Sequence, residues 1–265
     1  MTGADLSDCL DFARHLAAAA GAAILPHFRV PLEVQDKGDA GDYDPVTEAD
    51  RAAERLIRES IARRFPEHRI RGEEEGISGG DSPLTWAIDP IDGTRSFVLG
   101  QLHWGTLIAL HDGIRPVLGV AHQPFIGETF SAMAGREATW QRDGERRTLR
   151  SRACPRLDEA MLACTTPDMF ATDARRAAFE RVRARVRLTR FGSDCYGYCL
   201  LAMGLIDAVV ESDLQAYDVQ ALIPIVEAAG GVITRWDGGP CDEGGDVVAC
   251  GDRTLHTQVL AVLRS

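Results

Sequence analysis

No run of about 18 apolar residues occurs in the chain, so nothing in it has the length of a membrane-spanning helix. The start lacks a basic segment followed by a long apolar one, so the expectation is a soluble, cytoplasmic protein. An excess of positive charge is missing as well. There are 29 Lys and Arg against 40 Asp and Glu, a net charge of −11, which disfavours the nucleic-acid backbone as a partner. A phosphorylated small molecule stays open, because a bound cation reverses the local sign. No CxxC pair is present, and the seven cysteines are odd in number, which argues against a disulfide framework and for a reducing compartment. Cys195 and Cys199 would share one face of a helix and read as small core residues.

Several chemistries lack their motif. There is no GxxxxGK[ST] loop, which weakens an NTPase reading. There is no HExxH, the histidines are scattered, and no GxSxG elbow appears. An aspartyl-nucleophile phosphatase needs Asp-x-Asp after its first strand; the interval here is Asp-x-x-Asp, at Asp89 and Asp92.

With 265 residues and 45% hydrophobic content, the chain can build one body or two intimately packed halves. Leu6, Cys9, Leu10, Ala13, Leu16, Ala17, Ala20 and Ile24 recur at helical spacing, predicting a long amphipathic helix over Leu6–Phe28. Asp36 to Tyr43 reads as a polar loop, and a second helix runs from Thr47 to Phe65, ended by Pro66. Short strands are expected at Arg69–Arg71 and Leu84–Ile88, then an antiparallel run at Trp104–Leu110, Val117–His122 and Glu128–Ala134. From about Arg156 strands and helices alternate. Strands are read at Ala160–Cys164, Leu188–Phe191, Ala208–Glu211 and Val247–Cys250, with helices at Asp173–Arg185, Cys195–Met203, Val219–Ala229 and Thr254–Leu263. Alternation of this kind implies layered α/β packing. The basic stretch Gln141–Arg152 is the expected seam between an N-terminal half, 1–150, and a C-terminal half, 151–265.

The chemistry concentrates at Trp86–Gly100, WAIDPIDGTRSFVLG. Asp89 follows a buried strand, where α/β proteins commonly gather ligands. Pro90 is stiff, and Gly93 permits a tight turn and close approach to a ligand. If a helix starts after Gly93, the N–H groups of Gly93 and Thr94 suit a phosphate. Two carboxylates this close repel unless a proton or cation lies between them, and hard oxygen ligands suit Mg²⁺. Glu73, Glu74 and Glu75 follow another strand, and Asp218 opens a further helix. Their plainer reading is a solvated acidic turn and an N-cap. Thr47 and Asp50 resemble a capping box, which also fixes the Asp50 side chain for a second role.

Together the segments DPVTEAD, GEE, IDPIDGTRSF and YDVQALIPIVEAAGG resemble the metal-dependent, inositol-monophosphatase-like phosphatases, in family order and across nearly the whole chain. The resemblance implies a layered αβαβα sandwich, usually dimeric, that hydrolyses phosphate monoesters with Mg²⁺. It implies that Glu73, Asp89 and the Ile91 carbonyl hold a first ion and that Asp89, Asp92 and Asp218 hold a second. Glu73 would also help hold a weaker third. Gly93 and Thr94 would donate N–H groups to the phosphate, and Thr94 with Asp50 would orient the attacking water.

DGTRSF, WGTLIAL and GSDCYGY are most similar to the histidinol-phosphate phosphatase branch. Where inositol phosphatases usually carry Trp-Asp, this chain has Tyr217-Asp218. Histidinol phosphate bears an ammonium group and an imidazole, so a carboxylate at Asp194 favours it over neutral hydroxyls. Asp194 also reads as a helix cap, and the two roles are compatible. Glu211 aligns with the family's substrate-binding glutamate. Arg95 reads either as a phosphate or carboxylate contact or as a surface arginine. A broad inositol or sugar phosphatase is the alternative. Lys37 is not in the family's usual lysine position.

Overall fold

The computed structural model describes residues 3–31, 33–36 and 45–265. The apolar stripe of the first segment produces α1 (Gly3–Ile24), with Leu10, Ala13, Leu16, Ala17, Ala20 and Ile24 buried. A short ladder of β1 (Val34–Asp36) and β2 (Pro45–Thr47) follows. The loop expected from Asp36 therefore begins inside a strand, and residues 37–43, with Lys37, lie outside the described residues. Next comes α2 (Glu48–Arg64). Its first turn is closed reciprocally: the Thr47 side chain accepts from the Ala49 N–H, and the Asp50 carboxylate accepts from the Thr47 N–H at 2.8 Å. Such a cap is worth about 1 kcal/mol.

α1 and α2 cover one face of an eight-stranded sheet. Its strands are β3 (Arg69–Gly72), β4 (Gly76–Gly79), β5 (Thr85–Asp92), β6 (Gly105–His111), β7 (Pro116–Gln123), β8 (Glu128–Met133), β9 (Thr139–Arg142) and β10 (Glu145–Thr148). The order is β10-β9-β8-β7-β6-β5-β3-β4, and only β3 and β5 run parallel. Between β5 and β6 lies α3 (Thr94–Val98).

The second sheet holds β11 (Met161–Cys164), β12 (Leu188–Phe191), β13 (Ala208–Leu214), β14 (Val232–Arg235) and β15 (Gly245–Cys250), in the order β12-β11-β13-β15-β14. Its outer face carries α4 (Asp173–Arg183) and α8 (Arg253–Leu263). Between the sheets lie α5 (Asp194–Ala202), α6 (Ala216–Val219) and α7 (Leu222–Ala228). The layers thus run α, β, α, β, α, with one apolar core at each helix–sheet level and the middle core shared by both sheets.

Three expectations change. Gln141–Arg152 is not a plain seam: Thr139 to Thr148 form the β9–β10 hairpin, and the crossing to the second sheet begins at Leu149. The single helix expected over Val219–Ala229 is divided into α6 and α7. The strand expected to end at Ile88 continues to Asp92, through an irregularity that decides the site.

Candidate active site

In a regular strand, residues three apart point to opposite faces. Asp89 and Asp92 escape this because β5 is bulged between them. Asp89 pairs with Leu107 and Asp92 with Gly105, so the β5 side holds one residue more than its partner. Pro90, which has no N–H for the ladder, sits inside the bulge, and its carbonyl accepts from the Thr106 hydroxyl at 2.8 Å. The extra residue brings both carboxylates to one side. Asp218 reaches them from α6, where it is the third residue rather than the cap, its carboxylate accepting from the Gln215 N–H at 2.7 Å. Oxygen atoms of Asp89, Asp92 and Asp218 lie within 4.8 Å of one another.

Glu73 sits on the turn after β3 and lines the same pocket. That turn is held by a residue absent from the sequence-based reading. The fully buried carboxylate of Glu54 accepts from the backbone N–H groups of Glu74 and Glu75, both at 2.9 Å, and from Arg58 Nε at 2.7 Å. Gly72 leaves room for it, since a Cβ there would lie 2.3 Å from Glu54 Oε1. Glu74 and Glu75 do not line the pocket.

The far wall is also acidic. Asp194 opens α5 in the left-handed region, φ 43°, which strains a non-glycine residue. Its carboxylate accepts from the Ser96 hydroxyl at 2.8 Å, and its N–H donates to Thr165 Oγ1 at 3.1 Å. The next N–H, of Cys195, donates to Asp92 at 2.8 Å. Ser193, not Asp194, is the capping position. Glu211, on β13, accepts from Thr165 Oγ1 at 2.5 Å and from the Tyr198 hydroxyl at 2.9 Å. Thr165, Ser96 and Tyr198 also went unread in the sequence. Thr165 had a signal, its place just past the carboxyl end of β11.

Gly93 has φ 84°, and a Cβ there would lie 2.6 Å from the His103 carbonyl oxygen. It is the residue preceding α3, so the N–H groups of Gly93 and Thr94 stand at the start of that helix, as expected. The Thr94 hydroxyl donates to the Ile91 carbonyl at 3.0 Å. Asp50 does not line the pocket; its Oδ2 serves the cap, and its Oδ1 is buried without a hydrogen-bond partner. Arg95 is exposed and does not line the pocket either, although its charge lowers the Asp194 pKa. The pocket itself has a volume of about 150 Å³.

Its electrostatics follow from crowding. Burial, and then the negative neighbours Glu73, Asp92 and Asp218, push Asp89 well above the usual carboxylate range. Burial and Asp194 push Asp92 up to about 7, against the opposing Cys195 N–H. Burial and Asp92 raise Asp218 likewise. Burial lifts Glu211 to about 7 and Asp194 to about 6, with their hydroxyl donors opposing. Among the described residues no basic side chain forms an ion pair with Asp89, Asp92 or Asp218. An all-oxygen, multiply negative donor set of this kind fits a hard divalent cation.

Comparison with known proteins agrees. The sequence profile of the inositol monophosphatase family matches residues 5–265. The bifunctional phosphatase IMPL2 of Arabidopsis thaliana is 40% identical over 259 residues, covering 94% of this chain and 72% of the relative. The histidinol-phosphatase of Streptomyces coelicolor is 35% identical over 270 residues, covering 98% of both chains. The solved structure of an inositol monophosphatase from Zymomonas mobilis superposes with a TM-score of 0.87 at 38% identity, covering 100% of both chains. With its layered fold and its carboxylate pocket, this chain belongs to the inositol monophosphatase family and is a phosphatase.

Proposed function

We propose that this phosphatase hydrolyses histidinol phosphate, with Mg²⁺ as its cofactor. Asp89, Asp92, Asp218, Glu73 and the Ile91 carbonyl would hold the ions. Bound Mg²⁺ supplies an acidified water and neutralises phosphate charge. The chain's own groups do the rest. Gly93 and Thr94 direct backbone N–H groups at the phosphate oxygens. Asp50 would aim the Thr94 hydroxyl through its unpartnered Oδ1 once that hydroxyl turns from the Ile91 carbonyl it meets here; β2, just before α2, packs on α3. Glu73 accepts a proton from the attacking water. A homodimer belongs to the same proposal, on family resemblance.

The observation that carries the substrate is that the pocket stays acidic beyond the ion-binding cluster. Asp194 and Glu211 face it from the far wall, where a substrate's cationic end gains most. The name of the Streptomyces coelicolor relative supports the same reading. A second reading, inositol phosphate, is favoured by the name of the Zymomonas mobilis structure.

A panel of histidinol phosphate, inositol 1-phosphate, fructose 1,6-bisphosphate and an adenosine bisphosphate decides between them. The expected result is a kcat/KM for histidinol phosphate at least about tenfold above the others, a difference of about 1.4 kcal/mol. Asp194→Ala should shrink that gap by lowering only the histidinol phosphate value. Equal or faster turnover of inositol 1-phosphate by the unmodified protein establishes the second reading.

A further inference from the structure

On the opposite face of the eight-stranded sheet, α1 meets the β8–β10 strands around a cavity of about 560 Å³. It shares no lining residue with the acidic pocket. Strand alternation decides what it presents. Phe130, Ala132 and Trp140 turn into the middle core, so Ser131, Met133 and Thr139 turn toward α1. In the hairpin, Thr148 stands opposite Thr139 and Arg146 opposite Gln141, on that same face. Arg147, opposite Trp140, lies over its ring at 5.0 Å on the other side. Two adjacent arginines are thereby separated, and only Arg146 reaches the cavity.

Arg14 enters from α1, with a side chain only 19% exposed. Its Nε donates to Ser131 Oγ at 3.0 Å, its Nη1 to Asp11 at 2.9 Å and its Nη2 to Thr139 Oγ1 at 3.4 Å. The guanidinium is therefore fixed by groups on both walls. Arg136 completes the set from the β8–β9 turn. The cavity's two carboxylates are already engaged, Asp11 by Arg14 and Glu137 by Arg150 at 2.8 Å. Among the described residues Arg136 and Arg146 have no carboxylate partner. Burial lowers the Arg14 pKa, and the like charge of Arg146 lowers it further while Asp11 opposes both. Three arginines have been brought together on a chain whose net charge is −11.

We propose that this cavity is a second anion site, which takes a small, multiply charged phosphate compound and is separate from the carboxylate pocket. Guanidinium groups match phosphate oxygens in geometry and charge, and the volume lies in the range of small-molecule pockets, roughly 300–1,000 Å³. It also gives Arg146, within the basic stretch Gln141–Arg152, a role that the fold alone does not.

The test is calorimetric titration of pyrophosphate into the full chain at low salt, with chelator present so that the carboxylate pocket repels anions. Saturable binding at one site is expected, weakened at least about tenfold by the double variant Arg136→Ala, Arg146→Ala. Both side chains are exposed, so the fold should survive, and circular dichroism checks that it does. Asp92→Asn should leave this binding unchanged. Absence of saturable binding by the unmodified protein, or equal affinity in the double variant, overturns the proposal.

Discussion

Two kinds of buried carboxylate coexist in this molecule. Glu54 is fully buried, yet it has an arginine and two backbone N–H groups. Asp207, also fully buried, takes a two-pronged contact from Arg152, both bonds at 2.6 Å, and the Met161 N–H at 2.7 Å. Asp89, 1% exposed, accepts from the Ile91 N–H at 3.0 Å, but its charged neighbours are Glu73, Asp92 and Asp218. A protein interior tolerates a carboxylate when its charge is matched. The first two are matched from within the chain and hold turns and crossings in place. The third group is left short of positive charge, so its balance must come from outside, as protons or as a cation. The deficit, more than the number of acids, marks the functional cluster.

The comparison breaks most sharply under mutation. Asp92→Asn should lower kcat on the order of 10³-fold if, as proposed, Asp92 helps hold the cation that organises transition-state charge. The same variant should raise the melting temperature in chelator, because one repelling charge is gone; calorimetry reads both the sign and the size. Glu54→Ala should act in the reverse direction. It strands Arg58 in the interior and should cost about 3 kcal/mol in chemical denaturation. Its kcat should fall as well, because the turn bearing Glu73 loses its anchor. Loss of stability with undiminished kcat would separate Glu54 from the site.

The smallest effect is in pH. The folded protein raises Asp92 to about 7, and Asp89 and Asp218 rise too. It therefore retains protons that the unfolded chain releases above about pH 4. In chelator, stability contributed by these groups is present below about pH 4 and is lost as pH climbs toward 7. A divalent cation held there would have to displace the same protons, so the affinity for Mg²⁺ should grow several-fold from pH 6 to pH 8. Titration calorimetry at the two values reads the difference, and an affinity independent of pH would contradict the proton count.

The sequence displayed much of this, unevenly. Helix α1 was legible because its apolar residues repeat at one period. The carboxylates were legible because Asp89, Pro90, Asp92 and Gly93 are chemically conspicuous in a row. The bulge was not, since strand period alone would have sent Asp89 and Asp92 to opposite faces. Only the pairing of β5 with β6 reveals the extra residue. Strands β4 and β10 were missed because every residue in them is exposed, leaving no alternation to read. Glu54 looked like any charged residue of α2. Its role depends on a turn about twenty positions later, a contact that no local pattern encodes.

All seven cysteines are free and buried. Cys9 lies in the core beneath α1 and α2, Cys195, Cys199 and Cys241 in the middle core, and Cys154, Cys164 and Cys250 in the outer one. Burial raises the thiol pKa at each of these positions, so the native protein shields them from alkylating reagents. Apart from Cys195, which lines the acidic pocket, labelling by iodoacetamide then proceeds only when a layer opens. The order in which individual thiols become modified gives a layer-by-layer clock of how this sandwich comes apart.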